Sequence, residues 1–170
     1  LWDILGKHVG EPVWRLLGGR KAANFAGSQG KPLAIAQVET TQRLGYLPGT
    51  YRFYAWTNGR ATGFDGSLQR QQGVGISVDQ QVLDDLTLFA RWGRLTKGQP
   101  RFDIALTLGA EWNGNDWGRG GDALGVAWGR LRTAKAFAAG SATVDADGDG
   151  VPDWGYTASG AETLAELYYR

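Results

Sequence analysis

The chain has 170 residues, enough for one ordinary domain, and its 18 Lys and Arg nearly balance 17 Asp and Glu, for a net charge of +1. This balance gives no reason to expect a nucleic acid or an acidic partner. Cys and Met are absent and no run of about 18 apolar residues occurs, which excludes disulfides and a transmembrane helix but not membrane-spanning strands, whose hydropathy signal is weak.

The N-terminal end of the chain has the pattern of short helices. Trp2, Leu5 and Val9 fall on one helical face, and a Gly-Gly pair, a usual helix terminator, follows. The helical period is lost further along the chain. We therefore predict two unlike parts: a helical segment over residues 1–23, with helix only in that part, and a β-rich segment over residues 24–170.

Seven segments of about 9 to 11 residues show the alternation of polar and apolar side chains that is typical of strands. They are Leu33–Arg43, Thr50–Asn58, Gln72–Val82, Leu86–Leu95, Phe102–Trp112, Asp122–Arg132 and Glu162–Arg170. A tilted strand of this length spans a bilayer. The predicted fold is all-β, an antiparallel meander preceded by a short helical segment. From the pattern alone, either a soluble sheet or part of a transmembrane β-barrel would account for it.

The connections between the predicted strands alternate in length, with short turns at one end of the sheet and mostly longer loops at the other. This sorting is typical of outer-membrane barrels. Seven strands are fewer than the roughly eight of the smallest common closed barrels, and the chain begins without Met. We therefore expect a piece of a longer protein, with open sheet edges of its own.

The stretch DADGDGVPD is the sharpest local motif. Asp145, Asp147 and Asp149 stand at alternate positions and Asp153 offers a fourth carboxylate, as in the first half of an oxygen-rich calcium loop. The twelfth position lacks the bidentate Glu of an EF-hand, so an EF-hand is not predicted. Two interpretations stay open, a Ca²⁺ site and a solvated acidic loop tip.

An enzyme would lack essential parts in this sequence. There is no Cys, His8 is the lone His, and no Ser lies in a nucleophile elbow. Glu162 and Glu166 lie four residues apart on one predicted strand and point the same way, which does not make the opposed carboxylate pair of a glycosidase. We predict that the chain is not an enzyme and has no catalytic residues.

Four blocks of sequence in this order resemble the bacterial carbohydrate-selective porins: LPGTYRFYAW, GVGISVDQQVLDDLTLFARWGR, LTLGAEWNGNDWGRGGDALGVAWG and ETLAELYYR. The resemblance implies a partial barrel over about residues 32–170, in the bacterial outer membrane. It implies passive diffusion of mono- or oligosaccharides, with sugars and outer-membrane lipid as partners and no required cofactor. Whether the full-length parent is a homo-oligomer or a monomer stays open. Loop lengths then place the acidic loop outside the cell and Asp84 and Asp85 in the periplasm.

Under this resemblance, the alternation predicts which side chains face the pore. A mixture of charged groups and aromatic rings suits neutral sugars, because charged groups bond hydroxyls while ring faces cover the apolar C–H faces of the sugar. The alternative is that charged pairs only tie adjacent strands together. The predicted substrate-binding residues are Arg52, Tyr54, Trp56, Arg91, Asp103 and Glu111.

The first twenty residues are similar to a different family. LWDILGKHVGEPVWRLLGG resembles the stretch that closes the capping region of enolase-superfamily enzymes, of the mandelate racemase and sugar-acid dehydratase type. The lysine bases, magnesium ligands and catalytic His of those enzymes do not follow. Two alternatives to a porin therefore stand: a fragment of a sugar-acid dehydratase, and a soluble calcium-dependent β module.

Overall fold

The computed structural model describes residues 33–170. The predicted helical segment over residues 1–23, its boundary and His8 lie outside the described residues. The described chain forms seven strands: β1 (Leu33–Leu44), β2 (Leu47–Thr62), β3 (Leu68–Leu83), β4 (Leu86–Lys97), β5 (Phe102–Asn113), β6 (Ala123–Thr133) and β7 (Ala161–Tyr169).

Each strand pairs in antiparallel fashion with the next one along the chain, so the strands form one sheet in the order β1 to β7. The predicted all-β antiparallel meander is confirmed, with all seven strands in the predicted places. β2 and β3 are longer than expected, at 16 residues each, because their pairing resumes beyond a bulge between Asn58 and Ala61. Glycine and charged residues after Asn58 made this continuation look like loop in the sequence.

The prediction that helix occurs only at the N-terminal end is wrong. A short helix, α1 (Lys135–Gly140), lies between β6 and β7, and a single 3-10 turn (Gly114–Trp117) lies between β5 and β6. The sequence of α1, KAFAAG, is rich in alanine, the best helix former. Its six residues are too few to establish a visible period. In residues 33–170, no helix has the length and apolar character needed to cross a membrane.

The connections sort to the two ends of the sheet as the meander requires. Gly45 and Tyr46 alone join β1 to β2, and Asp84 and Asp85 alone join β3 to β4. The third connection at this turn end, residues 114–122, is longer than two of the three connections at the opposite, loop end. The predicted alternation of lengths therefore holds only in part, although residues 134–160 are by far the longest connection.

The strand register divides the side chains between two unlike faces. Cross-strand partners share a face, and successive residues alternate between faces. The polar face carries Glu39, Arg52, Ser77, Asp79, Arg91, Thr107, Glu111 and Glu162. The apolar face carries Val38, Phe53, Ile76, Leu88, Leu108, Val126 and Leu167, all of which are exposed, from 43% for Leu88 to 73% for Leu167.

No second layer of protein covers the apolar face within the described residues. A soluble sheet buries its apolar face against another sheet or against helices. In residues 33–170, however, Phe137 is the only buried hydrophobic side chain larger than alanine, and it belongs to α1 in a loop. An apolar surface that runs across seven strands is of the kind that lies against a membrane or another molecule.

Aromatic and charged side chains mark the two ends of the apolar face. Trp112 and Tyr169 lie at the turn end, where the Trp112 ring packs edge-on against Trp117 at 5.9 Å between centroids. Arg94 and Arg130 lie nearer the loop end. Amphipathic rings and long cationic side chains at the borders of an apolar band are typical of the interface between a bilayer and water.

The connections at the loop end pack together into a small folded unit, the loop cap, made of residues 63–67, 98–101 and 134–160. Its core is an edge-to-face stack, in which the centroid of the Phe137 ring lies 5.3 Å from the ring centroids of both Phe64 and Trp154. The Arg101 guanidinium lies over the Trp154 ring at 5.1 Å. The long connection is therefore anchored by its own hydrophobic core.

Candidate functional site

A ladder of alternating charges crosses four strands on the polar face. Arg52 on β2 donates to Glu39 on β1 at 2.5 Å and to Asp79 on β3 at 2.8 Å. Arg91 on β4 bonds the other oxygen of Asp79. A second nitrogen-bound proton of Arg91 goes to the backbone oxygen of Val78, at 2.6 Å. One carboxylate thus accepts from two guanidinium groups and joins three strands.

This ladder is only partly shielded from solvent. About a third of the Arg52 and Asp79 side chains is exposed, 32% in each case, and 26% of the Arg91 side chain. Water therefore screens the ion pairs, and each contributes less than a buried pair would. A guanidinium has five N–H donors, so both arginines keep donors that can face a solute.

Two of the predicted aromatic residues flank the ladder on the same face. Tyr54 and Trp56 follow Arg52 at alternate positions of β2, and their cross-strand partners on β3 are Gly75 and Gly73. These partners have no side chain, so each ring lies against the backbone of β3. The structure thus brings Arg52, Tyr54, Trp56 and Arg91 into one region of the polar face.

The other two predicted substrate-binding residues lie elsewhere. Glu111 lies near the turn end, where it accepts a hydrogen bond from the Tyr168 hydroxyl at 2.5 Å. Asp103 lies at a bulge near the loop end and binds the Arg132 guanidinium through two bonds of 2.9 and 2.6 Å. Eight residues of extended strand separate Asp103 from Glu111, roughly 27 Å. The six predicted residues therefore do not form one site.

Sequence reasoning missed Glu39, Asp79 and Tyr168 as partners within this face. Alternation places Asp79 on the polar side of β3, and this much is visible in the sequence. Which residues meet across strands depends on register, and the register shifts near the turn between β3 and β4, between Gln81 and Leu83. A shift of this kind cannot be counted from the sequence.

The acidic loop belongs to the loop cap. Carboxylate oxygens of Asp145, Asp147 and Asp149 lie within 4.8 Å of one another, which is close enough for one hard cation. Asp153 stands apart from this trio, and its carboxylate accepts the backbone N–H of Ala146 at 2.6 Å. The structure therefore brings together three of the four predicted metal ligands.

Backbone groups already hold the first of these carboxylates. Asp145 accepts the N–H of Gly150 at 2.8 Å, of Gly148 at 2.7 Å and of Asp149 at 3.1 Å. These bonds, that from Gly150 first, lower the pKa of the Asp145 carboxyl below its ordinary value. The tight loop depends on positive φ angles of 78° at Gly148 and 86° at Gly150, which glycine adopts without strain.

Both the sequence and the fold of this chain are similar to those of known porins. The family model described as carbohydrate-selective porin, OprB family, matches residues 9–170. A high-pH structure of OprB from Pseudomonas putida superposes with a TM-score of 0.63 at 20% identity, over 81% of this chain. The chain spans 39% of the length of that protein. No curated protein matches the chain.

The enolase-superfamily resemblance of the N-terminal end is not supported. The porin family match begins at residue 9, inside the stretch of about twenty residues that carried the resemblance. A short amphipathic helical pattern with a glycine terminator is common to many proteins, so its likeness to a capping region was weak in specificity.

Proposed function

We propose that this chain, which belongs to the OprB family of carbohydrate-selective porins, forms part of the wall of an outer-membrane channel through which mono- or oligosaccharides diffuse. The single observation that carries the proposal is the opposition of two faces on one sheet. Charged and aromatic side chains line one face, and exposed aliphatic and aromatic side chains cover the other. A barrel wall between lipid and a watery lumen needs this arrangement.

Family membership also bears on the other predictions. Porins are channels, in agreement with the prediction that the chain is not an enzyme, and they lie in the outer membrane, as predicted. Passive diffusion requires no cofactor. The alternatives are less well supported: the enolase resemblance has no match, and a soluble β module would leave the apolar face uncovered. A homo-oligomer of the full-length protein remains an open alternative to a monomer.

Sugar binding at the wall is proposed for the region around the charge ladder. Remaining N–H donors of Arg52 and Arg91 would bond sugar hydroxyls, and the rings of Tyr54 and Trp56 would cover apolar C–H faces. Asp103 is assigned a structural role instead, because both of its oxygens bond Arg132. Glu111 is shared with Tyr168 and stays a weaker candidate.

The experiment uses the full-length protein that contains this chain, reconstituted in liposomes. Swelling in an isosmotic monosaccharide solution should be fast and should need no energy source. A matched run with a solute too large for any porin controls for leaky vesicles. Liposomes that admit small ions but exclude monosaccharides would contradict the proposed function, as would liposomes that admit neither.

We also propose that the acidic loop binds Ca²⁺ weakly on the outside of the cell. Three carboxylates within 4.8 Å support this, and extracellular oxygen-rich sites have dissociation constants on the order of 10⁻⁴–10⁻³ M. Changing Asp147 and Asp149 to Asn should abolish Ca²⁺ binding measured by calorimetry. Sugar flux should stay unchanged, because the loop cap is held by its own aromatic core rather than by these carboxylates.

Two outcomes would overturn that placement. One is loss of sugar transport in the Asp147→Asn, Asp149→Asn double variant. The other is a loop that stays uncut in this variant when protease is added to intact cells. Calorimetry that detects no Ca²⁺ binding by the unmodified protein would leave the solvated loop tip as the correct interpretation.

A further inference from the structure

A recurrent pairing of aromatic residues with glycine marks the polar face of the sheet. Four aromatic residues on this face each stand directly opposite a glycine on a neighbouring strand. The pairs are Tyr54 with Gly75, Trp56 with Gly73, Phe89 with Gly109, and Tyr168 with Gly125. We call these four glycines the ring seats.

Each ring occupies the space that a side chain on its seat would need. A Cβ atom on Gly73 would lie 2.7 to 2.9 Å from the Trp56 indole, and one on Gly75 would lie 2.6 Å from Cε2 of Tyr54. Real Cβ atoms essentially never approach other heavy atoms this closely. Only glycine therefore permits these rings to lie where they do.

The backbone does not explain why glycine stands at the ring seats. The positive φ angles among the described glycines occur in turns and loops, and none of the four seats has one. Glycine inside a strand weakens the strand, because it has no side chain to pack and has greater freedom when unfolded. The four seats thus destabilise their own strands, and the absence of a Cβ atom leaves room for the ring.

Two other strand glycines on the same face provide a contrast. Cβ atoms on Gly93 and Gly129 would meet nothing closer than 3.8 Å. Gly93 is the direct cross-strand partner of Gly75, so a glycine that is a ring seat and one that is not lie side by side. The close fit belongs to the seats opposite aromatic residues and not to glycine on this face in general.

The position of Tyr54 indicates how a seated ring lies. Tyr54 belongs to β2, yet its hydroxyl reaches 3.8 Å from the Cβ position of Gly93 on β4. The side chain therefore extends along the sheet across β3. Side chains on a strand ordinarily stand roughly perpendicular to the sheet, so a ring without its seat would project into the lumen by its length.

We infer that the ring seats hold the aromatic side chains of the polar face flat against the wall, and that they thereby set the open cross-section of the channel. This inference rests on the proposed function, since it assigns Gly73 and Gly75 the role of determining which solutes fit. A ring that lies flat narrows the lumen only by the thickness of the ring. It also presents its face, rather than its edge, to a passing solute.

Single-channel conductance of the full-length protein in planar bilayers tests the inference. Gly75→Ala should lower the conductance and slow the entry of the larger sugars, because the Tyr54 ring is displaced into the lumen. The matched controls Gly93→Ala and Gly129→Ala add the same methyl group to the same face and should leave both unchanged. Gly75→Ala combined with Tyr54→Ala should restore the conductance.

Gly73→Ala provides a second test should Gly75→Ala fail to insert into the membrane. Its Cβ would lie 2.7 to 2.9 Å from Nε1, Cε2 and Cζ2 of Trp56, and the variant should lose conductance, which Trp56→Ala should restore. The inference is overturned if the seat variants conduct like the two controls, or if removal of the ring does not restore conductance. An unmodified protein that passes neither ions nor sugars would instead refute the proposed function.

Discussion

Leu108→Arg should destabilise the barrel by about 2–4 kcal/mol, the cost of an Arg on the lipid face near the middle of a bilayer. Leu108 lies near the centre of β5 on the apolar face and is 44% exposed. The guanidinium would enter hydrocarbon without a partner, because its cross-strand neighbours are Ala90 and Trp128. Urea unfolding of the full-length protein in lipid vesicles measures the loss.

The matched control is Leu164→Arg, the same substitution on the opposite face. Leu164 lies at nearly the same depth, since Leu108 pairs with Trp128, which pairs with Ala165. Leu164 itself belongs to the polar face, where its partner is Gly129. Its arginine would enter water, and we expect little change in stability. Equal destabilisation by the two variants would argue against a membrane-embedded sheet with one wet face.

Asp79→Asn should weaken the barrel by about 1 to 2 kcal/mol and shift the channel toward anions. The substitution removes the carboxylate that bonds Arg52 and Arg91, and hydrogen bonds to charged groups contribute more than neutral ones. Partial exposure of the ladder reduces the effect through solvent screening. Denaturant unfolding measures the first change, and the reversal potential in a salt gradient measures the second.

Glu162→Gln is the matched control for the charge ladder. Glu162 lies on the polar face and is exposed, and it has no ion pair with any of the described residues 33–170. The change should shift selectivity in the same direction as Asp79→Asn but leave stability almost unaltered. If Asp79→Asn alters neither stability nor selectivity, the ladder has no role in the wall.

The strands were predictable because their evidence is local. Polar and apolar residues alternate with a period of two in stretches such as residues 72–82. A tight turn at Asp84 and Asp85 separates this stretch from the next one. The extension of β2 past Asn58 was not predictable, because it depends on a bulge and on pairing with the far end of β3. Likewise α1 is fixed by the burial of Phe137 against Phe64, a contact distant in sequence.

The site was predictable only one strand at a time. Alternation placed Arg52, Tyr54 and Trp56 on one face of β2, and the structure agrees. It could not pair them with Asp79 or with the glycines of β3, because those contacts depend on register. The alternation along β5 likewise assigned Asp103 to the pore. The register shifts between Phe102 and Ile104, and at this bulge Asp103 bonds Arg132 instead.

The most direct test of the two-faced wall uses single cysteines, since residues 1–170 contain none. A fluorophore is attached to Leu108→Cys or to Leu164→Cys in the full-length protein reconstituted in vesicles. A quencher carried on lipid tails should quench the label at position 108 and spare the label at position 164. A water-soluble quencher should give the reverse order. Equal quenching of both labels by either quencher would contradict the account.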